Sequence, residues 1–323
     1  MRALVTGGTG FVGSAVVRVL LREGFRVSCL VRPTSDLRNL EGLDVRLVEG
    51  DLRDRDSLQK ALESCQQLYH VAAYYSTRPE DADKMMAINF GGSRNLLELA
   101  VERGLEGIVH TSTIGTVGRP PEPRLPTEED LYADYERASP YVLSKLKAEE
   151  LALDLGRRGA PVVVVNPCAP VGFRDVKPSS TGQRIIDYLR GRTPSFSPGG
   201  INFVSVNDVA RGHLLAARHG RAGQRYILGN LKGNLMLEDF YHLMERASGT
   251  PPPGRGRLAS LRRIARRFKG ALRGNGTSSS SGHRPTALTA DPARAVRELG
   301  LPQTPLEVPF VQAVHWFRTH GYV

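Results

Sequence analysis

The chain has 323 residues, enough for a large core and one or two domains. Its 40% hydrophobic and 24% charged residues are those of an ordinary globular protein, and no apolar run reaches the roughly eighteen residues that span a bilayer. The net charge of +11 is concentrated in eight basic residues between Arg255 and Arg273, with no acid among them; without these the balance is +3, so the basicity is local and does not call for nucleic acid.

The three cysteines, Cys29, Cys65 and Cys168, are odd in number and far apart, which suits a reducing cytoplasm and offers neither a disulfide framework nor a metal motif. The chain opens directly on a strand, so no signal peptide is expected and the expected location is cytoplasmic. Arg2 to Thr6 reads as that strand, Gly7-Gly8-Thr9-Gly10 as a turn, and Phe11 to Glu23 as a helix with one apolar face. Gly7, Gly10 and Gly13 stand at G-x-x-G-x-x-G spacing. Glycine there permits a tight turn and close backbone approach, and a helix N-terminus offers free N–H groups and positive dipole to a pyrophosphate. Phe25 to Val31 is the second strand. After it stand Arg32, Pro33, Thr34, Ser35 and Arg38, where NAD-preferring sheets usually carry an acid. A guanidinium and two hydroxyls suit a 2′-phosphate, hence NADP, with NAD as the alternative.

Further strands are expected at Val45 to Val48, Leu68 to Ala73, Ile108 to Ser112 and Pro161 to Asn166, with helices at Arg53 to Cys65, Asp83 to Arg103 and Ser139 to Arg158. His70 reads as a core residue. This alternation predicts an α/β fold: a doubly wound parallel sheet of Rossmann type over residues 1–167, with 201–230 returning to it. Past Asn166 prolines break the chain. Helices are expected at Gly182 to Arg190, from Asn207-Asp208 onward, Leu237 to Ser248, Asp291 to Leu299 and Leu306 to Thr319, and strands at Ile201 to Val206 and Gln224 to Leu228. Residues 168–200 and 231–323 read as a smaller, irregular α/β substrate domain. Within it, 257–273 reads as a basic amphipathic helix, open to anionic membrane contact or to an ordinary solvated role, and 274–286 as a mobile, serine-rich loop.

Tyr141 and Lys145 stand four apart on the predicted 139–158 helix and so share a face. A neighbouring ammonium favours a phenolate and brings tyrosine toward useful acid–base behaviour. Thr111-Ser112-Thr113 ends the fifth strand, at the sheet edge where open α/β folds bind ligands.

With Thr6 to Gly13, Asp51-Leu52, His70-Val71-Ala72-Ala73, Asn89 with Arg94 to Leu97, Thr111 to Thr113, Tyr141 to Lys145, Asn166-Pro167, Asn207 to Ala210 and Arg294-Ala295 through Leu299-Gly300, the chain resembles an extended short-chain dehydrogenase/reductase of the NAD-dependent epimerase/dehydratase family. Val31 to Ser35 and Val165 to Gly172 resemble the dihydroflavonol-4-reductase-like branch, and most of all its hopanoid-associated sugar epimerase group. The resemblance implies Tyr141 as acid/base, Lys145 as the group that holds the nicotinamide ribose and lowers the tyrosine pKa, and Thr113 with Ser112 beside the substrate oxygen. It implies cofactor contacts from Gly7, Thr9, Gly10, Phe11, Val12, Gly13, Arg32, Asp51, Leu52, Ala72, Ala73, Asn89, Tyr141, Lys145 and Pro167, a homodimer, and no metal. The family's usual Tyr-Gly after the fifth strand is Val117-Gly118 here. An epimerase or oxidoreductase acting on a secondary alcohol or ketone, on a sugar or lipid-linked sugar, is the first expectation. A plain carbonyl reductase and a non-catalytic NADP-binding scaffold are the others.

Overall fold

The computed structural model describes residues 1–121, 123–253 and 287–323; the basic helix expected at 257–273 and the loop expected at 274–286 lie outside the described residues. The first strand, β1 (Arg2–Thr6), is buried from Ala3 onward. It leads through the glycine turn into α1 (Phe11–Arg22), whose Ala15, Val16, Val19 and Leu20 face inward. The chain returns in β2 (Arg26–Val31), parallel to β1. After β3 (Val45–Glu49) come α2 (Arg55–Leu62) and β4 (Gln67–His70), then α3 (Ala82–Met85), a π-helical stretch Met86–Gly92 and α4 (Ser93–Glu102). Next follow β5 (Gly107–Thr111), α5 (Pro140–Arg157), β6 (Val162–Pro167), β7 (Ala169–Val171), α6 (Ser180–Leu189), β8 (Ile201–Ser205), α7 (Val206–His219) and β9 (Arg225–Leu228). The last elements are β10 (Asn234–Leu235), α8 (Leu237–Ser248), α9 (Ala293–Leu299) and α10 (Glu307–Thr319).

Seven strands form one parallel sheet in the order β3-β2-β1-β4-β5-β6-β9. Order reverses at β1, where β2 and β4 lie on opposite sides, and such a switch point opens a crevice at the strand C-termini. Strands covered on both faces are mostly apolar: β5 and β6 are wholly buried, with His110, Thr111 and Asn166 at their C-terminal ends, whereas the edge strand β3 is largely exposed. One face packs against α1 and α7 through Val16, Leu20, Val209 and Leu214. The other packs against α2, α4 and α5 through Leu58, Leu62, Leu96, Leu97 and Ala152.

A second sheet, β10-β8-β7, carries α6, α8 and α10. Its core is a cluster of Phe203, Phe240 and Phe310 with ring centroids 5.4–5.9 Å apart. Each fully buried ring contributes about 1.5–3 kcal/mol over an exposed one. The stretch 201–230 is divided between the layers: β8 joins the small sheet, while α7 and β9 join the large one.

Several boundaries differ from expectation for local reasons. The second helix starts at Arg55 because the Asp54 carboxylate accepts from the Asp56 and Ser57 amides and caps it. Strand β4 stops at His70, so Val71 to Ala73 leave the sheet. The long helix expected over 83–103 is interrupted by the π-helical turns around Asn89. Helix α7 is capped by Ser205, whose side chain accepts from the Asn207 amide, so Asn207 and Asp208 lie inside its first turn. Strand β7 contains Pro170, which reads as a breaker in sequence but is tolerated because β7 is an edge.

Candidate active site

The glycine turn is built by close approach. Gly7 has φ +72°, and a Cβ on it would lie 2.7 Å from the Ala72 nitrogen. A Cβ on Gly13 would lie 2.0 Å from the Gly7 carbonyl oxygen. Gly10 is the N-cap of α1 and offers no side chain, so the first amides of the helix have no side-chain cap and point their dipole into open space. In front of them is a cleft of about 400 Å³. Its floor is Gly7, Thr9, Gly10, Phe11, Val12 and Gly13, one end is Arg32, Ser35, Asp51 and Leu52, and its wall is Val71, Ala72, Ala73 and Tyr74. Cradle, dipole and length fit a dinucleotide.

At the Arg32 end the cations differ. Arg38 is bound by Asp36 through two nitrogens, and Arg53 by Asp51. The Arg53 guanidinium is the main cause that holds the Asp51 carboxyl down at about 2. Arg32 gives its backbone N–H to the Ser35 hydroxyl at 2.9 Å, and no ion pair holds its guanidinium among the described residues.

The second set of residues sits on α5 and the loop after β5. Ser139 caps α5 by accepting from the Val142 amide, and Pro140 occupies its first turn. Tyr141 packs edge-on against Tyr75, with centroids 4.9 Å apart at 85°. Lys145 is buried and its Nζ donates to the Thr111 carbonyl at 2.6 Å. Gly115 wedges between Val142 of α5 and Thr113, so the Thr111–Thr116 loop packs on the first turns of that helix. The Thr113 hydroxyl accepts from the Gly115 amide at 3.3 Å, and the Ser112 hydroxyl meets that of Thr116 at 3.2 Å. Burial pushes the Tyr141 phenol up to about 12, with Tyr75 adding to it. Burial also brings the Lys145 ammonium down to about 8, while Glu149 opposes that fall. The tyrosine shift is opposite to the sequence expectation, because desolvation outweighs a lysine whose Nζ is turned toward Thr111.

Residues 3–229 match the model of the NAD dependent epimerase/dehydratase family. The chain belongs to that family. It is 36% identical to a Synechocystis protein provisionally named dihydroflavonol 4-reductase, covering 99% of this chain and 95% of that one. Sterol demethylase protein B of Methylococcus capsulatus is also 36% identical, over 100% of both chains. Among solved structures, that of gox2253 superposes with a TM-score of 0.85 at 38% identity, covering 100% of this chain and 99% of that chain. Like its family, the chain is an NAD(P)-dependent oxidoreductase/epimerase with an extended short-chain dehydrogenase/reductase fold.

In this family member the cleft gathers Gly7, Thr9, Gly10, Phe11, Val12, Gly13, Arg32, Asp51, Leu52, Ala72 and Ala73. Asn89, Tyr141, Lys145 and Pro167 are not among the lining residues, nor are Ser112 and Thr113. The Asn89 side chain accepts from the Tyr74 amide at 2.7 Å and donates to the Tyr74 carbonyl and the Ser144 hydroxyl, tying the cleft wall to α5. Pro167 ends β6 inside the sheet. Sequence reading missed Pro170 and Ser179, which reach the cleft from the small sheet's side. Ser179 caps α6, and an N-cap serine before an apolar-periodic helix is the signal that could have located it.

His70 is a core residue. Its Nε2 lies 2.8 Å from the Ser93 hydroxyl, which itself donates to the Asn89 carbonyl. Nε2 therefore carries the proton, and Nδ1 accepts from the Thr6 hydroxyl at 2.7 Å. The ring thus links β1, β4 and the Asn89 turn beneath the cleft.

Proposed function

We propose that the protein is an NADP(H)-dependent reductase of a ketone or other carbonyl substrate, working reversibly on the corresponding secondary alcohol. The observation that carries this reading is the Tyr141 phenol, half-buried and edge-on to Tyr75 on the helix that also bears Lys145, at the C-terminal side of the sheet that holds the glycine cleft. When bound, the cofactor supplies or receives a hydride at its nicotinamide. Gly7, Gly10 and Gly13 would leave room for its pyrophosphate, and the amides of Phe11 and Val12 would hold it. Arg32, whose guanidinium is held by no carboxylate among the described residues, would hold the 2′-phosphate.

A phenol with its proton held up to about 12 is protonated at neutral pH, the state that donates to a carbonyl oxygen gaining negative charge. Tyr141 is the proton donor, the Thr113 hydroxyl orients the same oxygen, and Lys145 contributes positive charge beside them. The reductase name on one full-length relative supports reduction. Epimerisation is the second reading, supported by the family to which the chain belongs. It would return its hydride and leave no net change in NADPH. The α3–α4 segment and α5 are the faces for a homodimer, which light scattering would detect. Absorbance at the nicotinamide band with a panel of ketones tests the function: stoichiometric NADPH loss supports the reductase. Substrate isomerisation without NADPH loss supports the epimerase. Tight NADPH binding with neither, across sugar, lipid and aromatic ketones, would leave only a cofactor-binding scaffold.

A further inference from the structure

Behind Lys145 lies a buried polar hub that the proposed chemistry does not use. Glu149 stands one helical turn beyond Lys145 on α5, and its side chain is 3% exposed. Its Oε1 accepts from Arg225 Nη1 of β9 at 2.6 Å. Its Oε2 accepts from the Thr116 hydroxyl at 2.6 Å and from Asn166 Nδ2 of β6 at 2.8 Å. Asn166 Nδ2 also faces the Thr113 carbonyl at 3.1 Å. With three acceptors around its nitrogen the Asn166 amide cannot flip, and its Oδ1 is left buried without a partner. Arg225 is spent on backbone too, giving Nε to the Glu128 carbonyl and Nη2 to that of Asp130. Four elements thus fix one carboxylate, and a fixed buried charge acts strongly on a neighbour at i, i+4.

We propose that Glu149 is a positioning residue of this site: held by Arg225, Thr116 and Asn166, its carboxylate keeps a negative charge one turn beyond Lys145 and so maintains the lysine as the ammonium. This rests on the reading of Lys145 as a working cation of the site. The groups that act on that ammonium are known from each side. His70 and His110 on β4 and β5 are buried and neutral, each pushed down by desolvation first and by the Lys145 charge second. Tyr141 on the same helix keeps its proton. Glu149, one turn beyond Lys145 on α5, is the carboxylate whose charge acts on the lysine, and its effect is upward.

The sequence has seven lysines, so an NMR pH titration of lysine-labelled full-length protein is simple to read, with Lys145 assigned by its loss in Lys145→Arg. The wild-type midpoint is expected near about 8. Glu149→Gln should lower it by about one pH unit, the scale of one removed buried counter-charge. Glu149→Asp, which keeps the charge, should restore most of the difference. Since Glu149→Gln strands a buried guanidinium, Glu149→Gln with Arg225→Met serves if the single variant does not fold; it removes a positive charge with the negative one and should lower the midpoint by less. An unchanged midpoint in a folded variant lacking the carboxylate overturns the proposal and makes Glu149 a purely structural ion pair. The titration needs no turnover, so it is independent of whether the assignment of Tyr141 as proton donor fails.

Discussion

At the scale of single residues, the site is a matter of which charges are free. Arg38 and Arg53 are each occupied by a neighbouring carboxylate, and Arg32 at the cleft's end has none among the described residues. Arg32→Ala should therefore weaken NADPH binding by about tenfold or more, the scale of a charge-assisted hydrogen bond, and leave NADH binding nearly unchanged; fluorescence titration of both cofactors measures it. Equal losses for the two would place the 2′-phosphate elsewhere. Lys145 sets a pH limit. Its ammonium is lost as pH rises through about 8, so turnover should fall on the alkaline side of that value, well below the range where Tyr141 ionises. A rate profile flat to pH 10 would contradict this. These assignments were readable only in part from sequence. The Tyr141–Lys145 spacing gave the shared helix face, but nothing in it showed that desolvation would push the phenol up, because desolvation is a property of packing.

At the scale of elements, the first β-α-β unit was legible almost to the residue. Its signals are local: a buried strand, glycines at fixed spacing, and a 3.6-residue apolar stripe. The small sheet was legible in part. Strand β8 read as a strand, but β7 carries a proline and β10 has two residues, so neither has a period to detect; both are defined by pairing with β8. Helix boundaries moved where a side chain captured the backbone, as Asp54 and Ser205 do. The glycine turn gives the sharpest prediction at this scale. A methyl at Gly13 would lie 2.0 Å from the Gly7 carbonyl, so turn and helix must separate. Gly13→Ala should lose about 1–3 kcal/mol of stability in a denaturant titration and bind NADPH far more weakly. Unaltered binding would mean that the turn is not the pyrophosphate cradle.

Across the whole molecule, residues from both layers line the cleft, and specific polar links join them. Asn39, after β2, donates to the Thr9 carbonyl at 3.1 Å and to the Arg174 carbonyl at 3.3 Å, joining the glycine turn to the segment that leads into α6. Three buried imidazoles also give the fold a pH signature. His70 and His213 are pushed down to about 3 and about 4 by burial, and His110 falls too. As pH drops below the ordinary imidazole value near 6.5, the unfolded chain takes up protons that the folded one refuses, so stability should fall from there to about pH 4. Asp175, pushed up to about 6 by burial, works the other way below that pH, as do Glu128 and Asp208, which burial also raises; the three imidazoles carry the larger shifts. Urea unfolding at pH 7 and pH 5 measures the difference, and greater stability at pH 5 would contradict it. No helix among the described residues is long and apolar enough to cross a membrane. The proposed role of Tyr141, proton delivery at a site whose cofactor lies in the glycine cleft, is tested most directly by Tyr141→Phe, with NADPH affinity and turnover of the best ketone measured on the same preparation. Wild-type NADPH affinity is expected, with turnover reduced at least a hundredfold, the scale of a lost general acid; a variant that turns over at the wild-type rate would overturn that role.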